Sequence, residues 1–156
     1  MKKVLLCLLL ISSFSFQLHA NAENIIQQFS NSKDVYRIHI GRVGMSLIRF
    51  FAVDAEYRSA VKEIKSLEVL TLKDNSTKDN YLNKFKTLKD DEKYTTLLTV
   101  KNGDDNVRIM IKKEKDVICE LIVIVSDTAD ITMVRLKGKI KESDLETIIA
   151  QHNKKR

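Results

Sequence analysis

The chain has 156 residues, 44% hydrophobic and 31% charged, with 27 basic residues against 21 acidic ones and a formal net charge of +6. Two cysteines and four glycines leave no room for a disulfide framework or for a glycine-rich loop that cradles a phosphate. The charges are interleaved rather than clustered, so the basic balance gives no footprint for nucleic acid.

The chain opens with Met1, Lys2 and Lys3, an apolar run "VLLCLLLISSFSF", and the small residues Ala20, Asn21 and Ala22. Together these make a secretory leader, with cleavage expected after Ala22. The apolar run is shorter than the roughly 20 residues a membrane-spanning helix needs. Cys7 sits inside it, so lipid attachment is not expected. Residues 1–22 are read as a cleavable signal peptide and residues 23–156 as a single α+β domain, exported to the periplasm or beyond. Processing removes two lysines, leaving 25 basic residues (27 − 2) against 21 acidic ones, a net +4, on 134 residues (156 − 22). Cys119, His39 and His152 remain.

"AENIIQQFS" puts Ile25, Ile26 and Phe29 on one helical stripe, and Val35 to Ile40 reads as a strand. Residues 44–65 carry apolar positions at helical spacing, with a break expected near Asp54. "SLEVLTL" is a second strand. After a polar loop, Tyr81, Leu82, Phe85 and Leu88 mark one face of an amphipathic helix.

From Tyr94 to Lys139 the period changes from helical to two. Four apolar runs separated by the turns "KNGDD", "KEKD" and "SDTAD" give an antiparallel four-strand meander, extended by the two earlier strands, with helices packed mainly on one face. Tight turns would set Val100 opposite Val107, Ile111 opposite Ile118 and Val125 opposite Ile131. One face then collects Thr96, Leu98, Val100, Val107, Ile109, Ile111, Ile118, Ile122, Ile124, Thr132, Val134 and Leu136, the expected core. The other carries Leu97, Arg108, Met110, Leu121, Val123, Met133 and Arg135, apolar in the middle and basic around it. This second face is the candidate interaction surface, unless the chain's own helices cover it. A last helix, "ESDLETIIAQH", has Ser143 and Glu146 as a capping box and Leu145, Ile148 and Ile149 as its stripe.

"VICELIVIV" is too short to be a membrane span and reads as a central strand. Its Glu120 falls on the core face, where an unpaired carboxylate would be costly. If the last turn differs by one residue in length, Lys137 or Arg135 stands opposite and pairs with it. A buried glutamate with a raised pKa, poised for acid-base work, is the alternative.

Chemistry is sparse elsewhere. His39 and His152 have no metal-ligand neighbours at a recognisable spacing. "GMSLI" lacks the second glycine of a nucleophile elbow, so Ser46 reads as an ordinary helix residue. Cys119 reads as an inert strand thiol. The basic tail "HNKKR" offers anionic lipid no more than a weak, salt-sensitive contact. No catalytic site, metal or cofactor is expected.

The order of leader, short helix, strand, "GMSLIRFFAV" helix and a meander ending in "ELIVIVSDTADITMVRLKGKIKESDLETI" resembles the small exported bacterial family catalogued as domain of unknown function 4252. The resemblance covers nearly all of the mature chain, and the stretch from Glu120 to Ile148 carries its most specific order. It implies an envelope protein of a Gram-negative bacterium without assigned activity. The resulting expectation is a non-enzymatic interaction module, binding an envelope protein or a second copy of itself. A carrier or sensor of a small hydrophobic ligand is the alternative, and an unrecognised hydrolase comes third.

Overall fold

The computed structural model of the protein describes residues 21–51, 61–73 and 76–143. Residues 1–20 of the expected leader, the break expected near Asp54 and the helix stripe at Leu145, Ile148 and Ile149 lie outside these residues, whereas the last two residues of that leader, Asn21 and Ala22, lie within them.

Among the described residues three named helices and six strands follow in the order α1 (Ala22–Ser30), β1 (Tyr36–Ile40), α2 (Arg42–Phe51), β2 (Ile64–Lys73), α3 (Lys78–Lys86), β3 (Tyr94–Asn102), β4 (Asp105–Glu114), β5 (Val117–Ser126) and β6 (Asp130–Ile140). The strands form one antiparallel sheet in the order β1-β2-β6-β5-β4-β3. The expected meander is present, and β1 and β2 extend it on the β6 side. Of the residues expected to be helical over 44–65, those up to Phe51 lie in α2, which begins at Arg42, and residues 61 and 62 are helical too, while Ile64 and Lys65 already belong to β2. Ile64 opens the pairing of β2 with β6, opposite Gly138.

Local chemistry fixes the ends of these elements. Asn21 caps α1 by accepting from the Asn24 amide at 3.0 Å, and Glu23 in the first turn suits the helix dipole. The β3–β4 hairpin turns through Gly103 and Asp104, with Gly103 at φ 61°, a conformation glycine enters without steric penalty. Lys115 takes a left-handed φ of 58° in the β4–β5 turn.

α1 and α3 pack on one face of the sheet. Ile25, Ile26 and Phe29 from α1, with Tyr81 and Phe85 from α3, meet Leu70, Leu72, Met110, Ile122, Ile124, Ile131 and Met133. Phe29 sets its ring edge-on to both Tyr81 and Phe85, at 5.1 and 5.2 Å between centroids. Burying each such aliphatic or aromatic side chain is worth about 1.5–3 kcal/mol. A smaller cluster of Ile111, Ile118, Leu121 and Ile140, backed by Ile64, Ile109 and Leu136, closes one end of the other face.

The expected core is therefore corrected. Val107, Ile109, Ile111, Val134 and Leu136 do share a face, with Leu98 and Val100, but α1 and α3 cover the opposite one. Val100 pairs with Val107 as expected. Ile111 pairs with Leu121 rather than Ile118, and Val125 with Thr132 rather than Ile131. The β5–β6 turn sets Ser126 opposite Ile131 and so Val125 opposite Thr132. The β4–β5 turn sets Glu114 opposite Val117, and against β4 the register then shifts on β5 between Ile118 and Glu120, where Cys119 is the additional residue. Past it every side chain changes face, so Ile122 and Ile124 join Met110 and Met133 under the helices. A second shift between Thr96 and Leu98 moves Thr96 in the same way.

Candidate functional site

Beneath the helices a row of polar side chains crosses all six strands: Arg37 on β1, Glu68 on β2, Arg135 on β6, Glu120 on β5, Lys112 on β4 and Tyr94 on β3. The pairing register brings them together, since Glu68 stands opposite Arg135, and Lys112 opposite both Glu120 and Tyr94. Charges alternate along the row, and it passes from the exposed Arg37 to the buried Glu120.

Arg135 is its hub. Its Nε and Nη2 donate to Glu120 Oε1 at 2.8 and 2.7 Å. Its Nη1 reaches Ser30 Oγ at 3.1 Å and Glu68 Oε2 at 3.4 Å. The second Glu120 oxygen accepts from the Tyr94 hydroxyl at 3.0 Å. Arg37 bonds Glu68 Oε1 at 2.9 Å and also donates to the Ser30 carbonyl at the end of α1. The Ser30 hydroxyl donates to Ile26 O at 2.7 Å. Burial and the neighbouring Glu120 carboxylate push the Tyr94 hydroxyl far above its ordinary pKa, so it remains a donor. Each buried charge is thus answered, as low-dielectric surroundings require. The arrangement braces α1 against the sheet and leaves no carboxylate oxygen of Glu120 unengaged. Of the two cross-strand partners anticipated for Glu120, Lys137 stands opposite it and Arg135 makes the ion pair.

The other possible reactive groups are separated. Cys119 is half-buried, its thiol donates to Lys112 O at 3.3 Å, and burial with the nearby Glu114 raises its pKa. His39 is exposed on β1. Ser46 donates to Arg42 O at 3.0 Å and accepts from Arg49 at 2.9 Å. It lines a cleft of about 300 Å³ with Arg42, Arg49, Lys62, Glu63, Ile64 and Lys65, and neither Glu120 nor His39 belongs to that lining. Among the described residues no group of three or more His, Cys, Asp or Glu is placed to hold a metal ion.

The seven residues read as one interaction face do not form one. Met110 and Met133 are fully buried under the helices. Arg108, half-buried on the same face, donates to Leu88 O at 2.7 Å, and Arg135 is the hub above. Leu121 and Val123 lie on the opposite face, and exposed Leu97 sits at the β3 register shift.

That opposite face has its own order. One row runs Ile38, Val69, Val134, Val123, Ile109 and Leu98, one residue per strand in direct register. The next runs Tyr36, Thr71, Thr132, Val125, Val107 and Val100. Neither holds a charge, in a chain that is 31% charged. The central members are half-buried, and the outer ones, Tyr36, Ile38, Leu98 and Val100, are exposed. Sequence reasoning missed Val69, Ile38, Tyr36, Glu68 and Arg37 because it followed register only through the meander. Carrying the same alternation from β6 into β2 would have found them.

The family model described as "Domain of unknown function (DUF4252)" matches residues 29–148, from the last turn of α1 past the end of the sheet. No curated protein and no solved structure matches the chain.

Proposed function

Since the chain belongs to the DUF4252 family, whose description assigns no activity, we propose that it is a non-enzymatic, exported interaction module of the cell envelope that docks a protein surface on its open sheet face. One observation carries this reading: two uncharged rows, each contributed by all six strands, stand on the side of the sheet away from α1 and α3. Contiguous apolar surface of this kind marks interaction sites, because leaving it in water forgoes roughly 25 cal/mol for each Å² that a partner would cover. The leader at Met1 to Ala22 supports export. A carrier of a small hydrophobic ligand draws less support, since the clefts beside Arg42 and beside Asn21, Glu23 and Asp91 are lined largely by charged residues.

Native mass spectrometry of the protein recovered from an exporting host, with and without Val134→Lys, tests the reading. The expected result is a dimer or a defined complex that the lysine abolishes while the thermal midpoint stays within a few degrees. A monomer in both samples, or a complex indifferent to Val134→Lys, removes the open face from consideration.

A further inference from the structure

The four most exposed large apolar side chains among the described residues lie within twelve positions (36 to 47): Val43 at 78%, Tyr36 at 68%, Ile38 at 63% and Leu47 at 55%. Tyr36 and Ile38 end the open sheet face, but Val43 and Leu47 belong to α2, one turn apart on its outer side. The helix is held so that this stripe points away from the protein. Met45 is buried, and a Cβ on Gly44 would come within 2.7 Å of Ile40 Cγ2, so that side of α2 sits close against the end of β1. Arg49 donates to the carbonyls of Lys62 and Ile64 at 3.0 Å each, fixing the helix to the start of β2.

Beside the stripe stand the cations. Arg42, Arg49, Lys62 and Lys65 share one cleft with a single carboxylate, Glu63. Arg42, Lys62 and Lys65 make no ion pair with any described residue. An outward apolar stripe flanked by unpaired basic groups is the surface that binds a charged interface in its plane, with apolar side chains among the acyl chains and cations on phosphates. An uncharged protein partner suits the open sheet face, whereas these cations require an anionic one. No described helix is long and apolar enough to cross a membrane, so the contact would be a surface one.

We propose that α2 docks on an anionic lipid surface, Val43 and Leu47 entering the interface while Arg42, Lys62 and Lys65 meet lipid phosphates. This surface differs from the sheet face assigned above, and either assignment can fail alone.

The chain has no tryptophan, so a single introduced one reports its own surroundings. Leu47→Trp, in the processed protein recovered after export, is mixed with vesicles of phosphatidylcholine with or without one quarter phosphatidylglycerol. Leu97→Trp, on the exposed edge strand β3 at the opposite side of the sheet, serves as the control. The expected result is a blue-shifted emission and quenching by brominated lipid at position 47, with anionic vesicles only, and no change at position 97. Adding Arg42→Glu, Lys62→Glu and Lys65→Glu should weaken vesicle binding about tenfold or more, as near-surface cations do. No shift at position 47, equal shifts at both positions, or equal response to neutral vesicles would overturn the proposal. A shift without vesicles that grows with protein concentration would also overturn it, pointing to a protein contact instead.

Discussion

The two faces of the sheet invert the usual arrangement. The face sealed by α1 and α3 carries Arg37, Glu68, Arg135, Glu120 and Lys112, while the two rows on the open face carry no charge at all. Val134 and Arg135 are consecutive on β6 and point in opposite directions, so the contrast is present within one dipeptide. Burial tolerates charge here because Arg135 meets two carboxylates and a hydroxyl at once, which offsets the desolvation a lone ion would suffer. The open rows have no comparable internal partner. Polarity alone is thus a poor guide to which side of a sheet is inside; the positions of the helices and the completeness of pairing decide it.

The widest separation of the two faces should come from Arg135→Met. It leaves Glu120 buried with only Tyr94, and the expected loss is about 3–5 kcal/mol in urea unfolding; a loss below 1 kcal/mol would mean that the row is loosely held. Gly138→Ala tests the closed end of the open face. A Cβ there would come within 2.2 Å of Glu63 O, so β2 must move, and a destabilisation of about 1–3 kcal/mol is expected by the same assay. Val134→Lys should change stability by less than about 1 kcal/mol, since a lysine stem can lie along apolar surface with its ammonium in water. A larger loss would show that face to be core after all.

The smallest effects concern pH. Native Tyr94 holds its proton above the ordinary tyrosine pKa of about 10, so the unfolded state binds fewer protons in alkali and stability falls as pH rises beyond that value. Tyr94→Phe should flatten the alkaline limb of a thermal-midpoint profile. On the surface the sign reverses. Burial pushes Asp91 up, but amides of Glu23, Tyr94 and Lys93 donate to it and hold it below the usual carboxylate range. Amides of Asp130 and Ala129 do the same for Asp127. Their contribution is present above about pH 4 and lost as the pH falls through the native values. Asp91→Asn should flatten that acid limb slightly, and an unchanged acid limb would remove its role.

Much of this architecture was legible in the sequence. The period-two runs gave four strands, the Val100–Val107 pair followed from the "NGDD" turn, and Ile25, Ile26 and Phe29 announced the α1 stripe. The family resemblance read around Glu120 to Ile148 agrees with the matched family model. The sites were less legible for a specific reason. One additional residue at Cys119 reverses the facing of everything after it on β5, and no side-chain preference marks a bulge in a strand where both faces are apolar. Which face the helices choose is also invisible to alternation, because Met110 and Met133 are as apolar as Val107 and Val134. Glu120 was the exception: its awkwardness in the pattern pointed to a basic partner on β6, Lys137 or Arg135, and Arg135 is the one that pairs with it.

The strand order also constrains how the chain reaches this state. β6, the last of the described strands in sequence, lies between β2 and β5, and its Thr132 pairs with Thr71, 61 residues earlier. Until residues 130–140 are available, β1–β2 and β3–β4–β5 are separate ribbons, each with an unsatisfied edge. Closing so long a loop delays the rewarding contacts, so the native sheet cannot be completed from an emerging N-terminal portion. A chain built this way keeps both ribbons open-edged until β6 has been delivered, so β2 and β5 offer unpaired backbone to wrong partners in the meantime.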